Sequence, residues 1–372
     1  MIKTVNGTTN HKTNVLLAIA AIVVVIYGMQ MAKVVMVPFL LAGFIALITV
    51  RPMLWLQRHR VPAVIAAILI VLMIMLILTI VGSIVGRSVA QFTASLPVYQ
   101  ARLDGIVQQV LVWIAENIET EQEIQELGDL INPGWAMGMV ANLLNGVRDV
   151  LTNVFLIFFT VVFILLEASS LRTKVEAAFG TAPESLQKAR NFLSNLGRYL
   201  GIKTVVSLAT GFLAWALTKS FGVDFPGLWG MLAFLLNYVP TIGSIIAAVP
   251  AVLLALVQLG APEAVGVMVG FISINVAFGN LIEPRLMGYG VGISPMIVFI
   301  GLVFWGWVFG PVGMLLSVPL TMTLKLWLEG DESTRWIAVL IGSERDALHD
   351  VEERRISEET RAHATEEADS PT

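Results

Sequence analysis

PGLWGMLAFLLNYVPTIGSIIAAVPAVLLALVQ, residues 226–258, and SPMIVFIGLVFWGWVFGPVGMLLSVPLTMTLKLWLE, residues 294–329, decide the fold. Both are apolar runs of more than 30 residues that break in the middle in the same way. Pro240 and Gly243 interrupt the first, and Pro250 follows. Gly310, Pro311 and Gly313 interrupt the second, and Pro319 follows. A straight helix of that length would run ~50 Å at ~1.5 Å per residue, against a hydrocarbon core of ~30 Å. Neither run is one ordinary membrane span. Proline removes a backbone donor and glycine relaxes the chain. Each run therefore reads as a helical hairpin, re-entrant or fully crossing, with its tip at the break.

Composition carries the same message. Of 372 residues, 56% are hydrophobic and 13% charged, whereas soluble domains carry about 25% charged residues. The chain is expected to be an all-α polytopic membrane protein. It should have about six to eight transmembrane helices, with two broken or re-entrant hairpins in an inverted repeat. There is no cysteine, hence no disulfide and no thiolate chemistry. His11, His59, His349 and His363 are too scattered to suggest a metal site. A formal net charge of -4 argues against nucleic acid as a partner. No nucleophile-base pair, HExxH, P-loop lysine or paired carboxylates in apolar sequence point to an enzyme. No cofactor is implied, and transport without a nucleotide motif is driven by gradients or is passive.

Taken in order, residues 1–84 read as N-terminal transmembrane helices: Asn14–Ala32, Val34–Val50 and Val61–Val85, with a basic linker at Arg51–Arg60. The first is expected to act as a retained signal-anchor. Residues 85–147 change character, with Arg87 and Arg102 against seven acidic residues. Val98, Leu103, Ile106, Val107, Val110, Leu111 and Ile114 recur at helical spacing, so this is an amphipathic helical insert outside the membrane. Asn132-Pro133 reads as a helix start within it. Residues 148–201 hold a fourth span and a basic linker, and 202–329 a fifth span, a hairpin, a sixth span and a second hairpin. Residues 330–372 are a charged tail whose end is expected to be disordered. Basic residues concentrate in the N-terminus, Arg51–Arg60 and Ser169–Lys203. The positive-inside rule then places both termini in the cytoplasm and the insert outside. Lys33 and Lys219 are the exceptions.

On this topology, residues 202–259 and 264–329 are each a span plus a broken hairpin, inverted relative to one another. Such repeats hold substrate near the midplane at the breaks in many secondary transporters, because interrupted helices leave backbone groups that must face protein, water or ligand. The competing reading is that proline and glycine only kink packed helices. Pro240, Gly243, Pro311 and Gly313 would shape the tips. Asn237, Thr241, Ser244, Asn275 and Asn280 would hydrogen-bond a neutral polar cargo, or else join helices to one another. Glu283 and Arg285, flanking Pro284, would act as a gate or coupling pair. A cation/proton antiporter would need a carboxylate, with Glu283 the best candidate and Asp224 a poorer one.

NLIEPRLMGYGVGISPMIVF at 280–299 and FWGWVFGPVGMLLSVPLTM at 304–322 resemble the signature of the autoinducer-2 exporter (AI-2E) family. WGMLAFLLNYVPTIGSIIAAVP at 229–250 is similar to its other hallmark. VPFLLAGFIALI at 37–48 and FFTVVFILLE at 158–167 fit its AI-2 transport branch. The resemblance covers the chain from the first span to about Glu329 and leaves the acidic tail unmatched. It implies a bacterial inner-membrane homo-oligomer, a pentamer among its options, that exports autoinducer-2, a small hydroxylated signal. Protons or monovalent cations enter as partners under the antiporter alternative, since some members resemble sodium(lithium)/proton antiporters. A third reading is a membrane scaffold acting through the 85–147 insert.

Overall fold

The structure, a computed structural model, describes residues 7–117, 153–179, 184–240, 242–287, 292–331 and 333–344, with isolated positions at 138, 140–141, 348, 351–352 and 355. All regular structure among these residues is helical. Helices long and apolar enough to cross a membrane alternate with shorter apolar ones. The chain is an all-α polytopic membrane protein, as its composition requires.

Helices α1 (Gly7–Met31) and α2 (Lys33–Arg58) cover the first two expected spans. Ala32 joins them by a bend. Its amide donates to the Gly28 carbonyl at 2.9 Å, and the Met36 amide to the Ala32 carbonyl at 2.9 Å. The helical ladder therefore runs on through Ala32. A cytoplasmic N-terminus rests on a reversal there that the ladder does not show. A true reversal follows α2, where Arg60 takes a left-handed φ of 65° just before Pro62. Helix α3 (Ala63–Asn117) is one helix of 55 residues, ~80 Å long at ~1.5 Å per residue. The change of composition at residue 85 does not interrupt it, so the first part of the insert is the third span prolonged beyond the bilayer. Asn132-Pro133 and most of the remaining insert lie outside the described residues.

Helix α4 (Val154–Phe179) packs on α2 and α3, where Ala42, Ala46, Ile70, Val161 and Leu165 are buried together. Helix α5 (Glu184–Phe221) begins in the basic linker and continues as the fifth span. The first broken run is α6 (Pro226–Leu236) and α7 (Gly243–Leu259). Helix α8 (Ala261–Met287) follows, its ladder widened to a π form over Val276–Ile282. The second broken run is α9 (Pro295–Phe309), α10 (Pro311–Leu315) and α11 (Ser317–Glu329), with α12 (Arg335–Ile341) after it.

The two hairpins point opposite ways. The first is closed at its base where the Asp224 amide donates to Gln258 Oε1 at 2.9 Å. Its tip reaches down α5 until the Tyr238 hydroxyl meets Thr204. The second is closed at its base by Lys325 Nζ on the Gly292 carbonyl at 2.8 Å and by the Ser294 amide on the Ile341 carbonyl at 3.1 Å. That base follows Glu283, which contacts Lys203, so it lies at the Lys203 end of α5. Helices α6 and α9 have 11 and 15 residues, short of the ~20 that cross a bilayer, so both hairpins are re-entrant in form, one from each end of α5.

Close helix approach sets this frame. A Cβ on Gly211 of α5 would lie 2.7 Å from the Gly230 carbonyl oxygen of α6, and a Cβ on Gly230 would lie 2.7 Å from Trp215 Cβ. On α8, Gly270 and Gly266 make room for Leu217 and Phe221. These are packing glycines, and they fix α6 and α8 against α5.

Candidate functional site

The tips are built around glycine for a steric reason. A Cβ on Gly243 would fall 1.8 Å from the Leu236 carbonyl oxygen, and one on Gly313 would fall 1.8 Å from the Trp305 carbonyl oxygen. In each tip the returning chain lies directly on the last turn of the descending arm. Proline stands before Gly243 and Gly313 in both, at Pro240 and Pro311. Gly310 adds a φ of 70°, open to glycine at no cost. The two breaks are thus the same device used twice.

The first tip docks on a polar column of α5. Lys203, Ser207 and Thr210 recur at helical spacing on one face, and all three are buried. Asn237, at the end of α6, is buried and donates from Nδ2 to Ser207 Oγ at 2.9 Å. Next to it, the Tyr238 hydroxyl donates to Thr204 Oγ1 at 2.7 Å, while Thr204 donates to the Leu200 carbonyl. Tyr238 also meets Phe44 of α2 edge-on at 5.3 Å. The tip is thereby held to both α5 and α2.

At the foot of the column, Lys203 Nζ and Glu283 Oε1 form an ion pair at 2.5 Å, with side chains only 6% and 16% exposed. Two charges taken out of water are tolerable only as such a pair. Beyond it, a cleft of about 260 Å³ opens between α5 and α11, lined by Asn191, Asn195, Met322, Lys325 and Glu329 among others. At the opposite end, Tyr99 of α3 donates to Asp224 Oδ2 at 2.8 Å, and Trp229 Nε1 donates to the Asp224 carbonyl at 2.8 Å. Burial, with the neighbouring Asp224 carboxylate, pushes the Tyr99 phenol up to about 12. Asp224 is therefore a structural anchor between the prolonged α3 and the base of the first hairpin.

Of the residues singled out from the sequence, the structure brings Asn237 and Glu283 onto neighbouring turns of α5. Pro240 and Gly243 shape the tip beside them. Ser244 is half-buried at the start of α7, Asn275 is half-buried on α8, and Asn280 is exposed. Pro311 and Gly313 shape the other tip. Arg285 is exposed on the last turns of α8, and the partner of Glu283 is Lys203. Thr241 lies outside the described residues.

Sequence reasoning passed over Lys203, Thr204, Ser207 and Thr210. Lys203 reads as the last cation of a basic linker, and its pairing with a residue 80 positions away has no local signature. The hydroxyls did carry a signal, since polar residues at 204, 207 and 210 interrupt an otherwise apolar span.

Comparison with known proteins places the chain among full-length relatives. Residues 16–330 match the model of the AI-2E family transporters. The chain is 36% identical over 333 residues to the AI-2 transport protein TqsA of Escherichia coli K12, covering 90% of this chain and 96% of that one. It is 36% identical over 352 residues to a candidate transport protein of Haemophilus influenzae, covering 92% and 99%. It is 33% identical over 335 residues to YhhT of Escherichia coli K12, also described as a candidate transport protein, covering 89% and 95%.

Proposed function

The chain belongs to the AI-2E family of transporters, and from that premise we propose that it exports a small uncharged polar signal, autoinducer-2 or a chemical relative, across the bacterial inner membrane. The observation that carries the proposal is the docking of the Asn237 amide on Ser207 in a buried column of hydroxyls. Amides and hydroxyls offer both donors and acceptors, and the only charges in the column are spent on each other. Such a lining suits a neutral hydroxylated cargo and disfavours an ion.

In this reading the first tip moves against α5 and exposes the column to one side at a time. The Lys203–Glu283 pair closes the end that faces the polar cleft. That end gathers Arg51, Arg58, Arg60, Arg190 and Arg198, which supports a cytoplasmic placement. The exporter would act within a homo-oligomer, the assembly implied by its likeness to the family.

The test is autoinducer-2 flux in proteoliposomes of purified protein, with and without a pH gradient. Saturable flux is expected, and its absence in inserted, folded protein would overturn the proposal. The buried carboxylate favours one second reading, sodium(lithium)/proton antiport through Glu283. Glu283→Gln keeps the side-chain shape and removes the charge. Under antiport it abolishes gradient-driven cation exchange. Under export of a neutral signal it leaves a gradient-independent flux that is slowed through the gate.

A further inference from the structure

Hydroxyls inside this helical bundle follow a rule. Thr49, Thr160, Thr204, Thr218 and Thr321 each donate to the carbonyl four residues back, the ordinary way to satisfy such a group in a membrane helix. Two buried hydroxyls break the rule, Ser317 on α11 and Thr210 on α5, and Thr210 is the one beside the first tip. It is 5% exposed, and its Oγ1 has no hydrogen-bond partner. A buried hydroxyl left unpaired is unfavourable, and where one persists it needs an explanation.

Its position supplies one. Helices α5 and α8 run antiparallel, with Leu217 against Gly270 at one point and Lys203 against Glu283 at another. Thr210 lies midway between Leu217 and Lys203. That register sets it opposite the start of the Val276–Ile282 segment, where α8 leaves α-helical bonding for the π form. A π turn widens the helix and disturbs its ladder, and such turns recur at functional sites. One turn from Thr210 stands Ser207, which holds Asn237 of the tip. An unused hydroxyl, a widened helix and the first hairpin tip thus meet at one level of the bundle.

We propose that Thr210, Ser207 and Asn237 form a binding site, against the π segment of α8, for a hydroxyl-bearing uncharged solute. The inference rests on the export reading and specifies its site. Thr210 supplies a donor and acceptors that the resting protein leaves free. Ser207 and Asn237 exchange their mutual bond for bonds to the solute. The Lys203–Glu283 pair below stays closed while the solute is held.

The chain has no cysteine, so Thr210→Cys introduces a unique thiol. In the full-length protein in liposomes, that thiol is expected to react with a small hydrophilic methanethiosulfonate, and autoinducer-2 should slow the reaction. Thr218→Cys, at a buried and back-bonded position on the same helix, should stay inert. Thr210→Val should lower autoinducer-2 flux about tenfold, the loss of one hydrogen bond to the solute. Thr210→Ser should restore it, and Thr210→Val should melt no lower than the parent. A Thr210→Cys thiol as inert as the control overturns the site whatever the parent transports. So does unchanged flux in Thr210→Val. Protection by sodium and not by autoinducer-2 overturns the uncharged-solute assignment. A reactive thiol in a parent that moves no autoinducer-2 supports the polar site and overturns the export reading alone.

Discussion

Lys203 and Glu283 show how one buried contact ties two helices together and, in the proposed mechanism, also closes the column. Each charge alone would be intolerable where it sits, with side chains 6% and 16% exposed. Together they join the start of the fifth span to the end of the sixth. Breaking a buried pair by removing one partner costs about 3–5 kcal/mol, mainly because the other charge is stranded, whereas replacing both with apolar groups is often near neutral. Lys203→Met and Glu283→Leu are each expected to destabilise the protein on that scale. The double variant should recover most of the loss. Thermal unfolding of the four proteins in one detergent gives the coupling directly. Additive losses would mean that the two charges do not depend on one another. The pair also marks where sequence reasoning stops. Glu283 drew notice because a carboxylate beside apolar sequence is rare. Lys203 did not, because a cation at the edge of a basic linker is ordinarily solvated. Only the antiparallel approach of α5 and α8 removes its water.

At the scale of elements, the broken hairpins were legible because proline and glycine act through the local backbone. Gly243 and Gly313 would each place a Cβ 1.8 Å from a carbonyl oxygen of the arm they fold onto, and that neighbour is main chain with nowhere to move. Overpacked sites typically lose about 1–3 kcal/mol, occasionally more. Gly243→Ala and Gly313→Ala are expected to reach or exceed the top of that range. Gly28→Ala and Gly86→Ala, whose Cβ atoms would meet nothing within 4 Å, should change little. Melting temperature and monodispersity on size exclusion provide the comparison. A tip variant as stable as the Gly28→Ala control would mean that the two tips are not closed in this way. Helix α3 was less legible. Its acidic, amphipathic second half reads as a separate element, yet composition does not end a helix. Neither Pro97 nor the loss of hydropathy at residue 85 interrupts it. Tyr99 and Phe92 then anchor that prolongation to Asp224, Phe225 and Trp229. The polar column was the least legible part. It joins α5, α6 and α8, and no single window of sequence contains it.

At the scale of the whole molecule, the two re-entrant hairpins give the chain a polarity that can be tested independently of any solute. The first opens at the Asp224 end, where the prolonged α3 is fixed, and the second opens at the Lys203 end. If the basic residues around Arg51–Arg60 and Arg190–Lys203 hold their end inside, positions at opposite ends differ in access to an impermeant reagent. The absence of native cysteine makes single-cysteine variants unambiguous. Val98 and Arg285 are both exposed, one on the prolonged α3 and the other on the last turns of α8. In intact inner-membrane preparations with their outer face presented, Val98→Cys is expected to react with an impermeant maleimide. Arg285→Cys should react only after permeabilisation. Inverting the vesicles should exchange the two results. If Arg285→Cys reacts first, the charge bias has been read with the wrong sign. The column would then open to the cytoplasm through its Asp224 end, and the Lys203–Glu283 pair would be an outer gate. If both react from one side, the two hairpin bases share a face, and the chain loses the inversion on which the proposed alternating access through Asn237 and Ser207 depends.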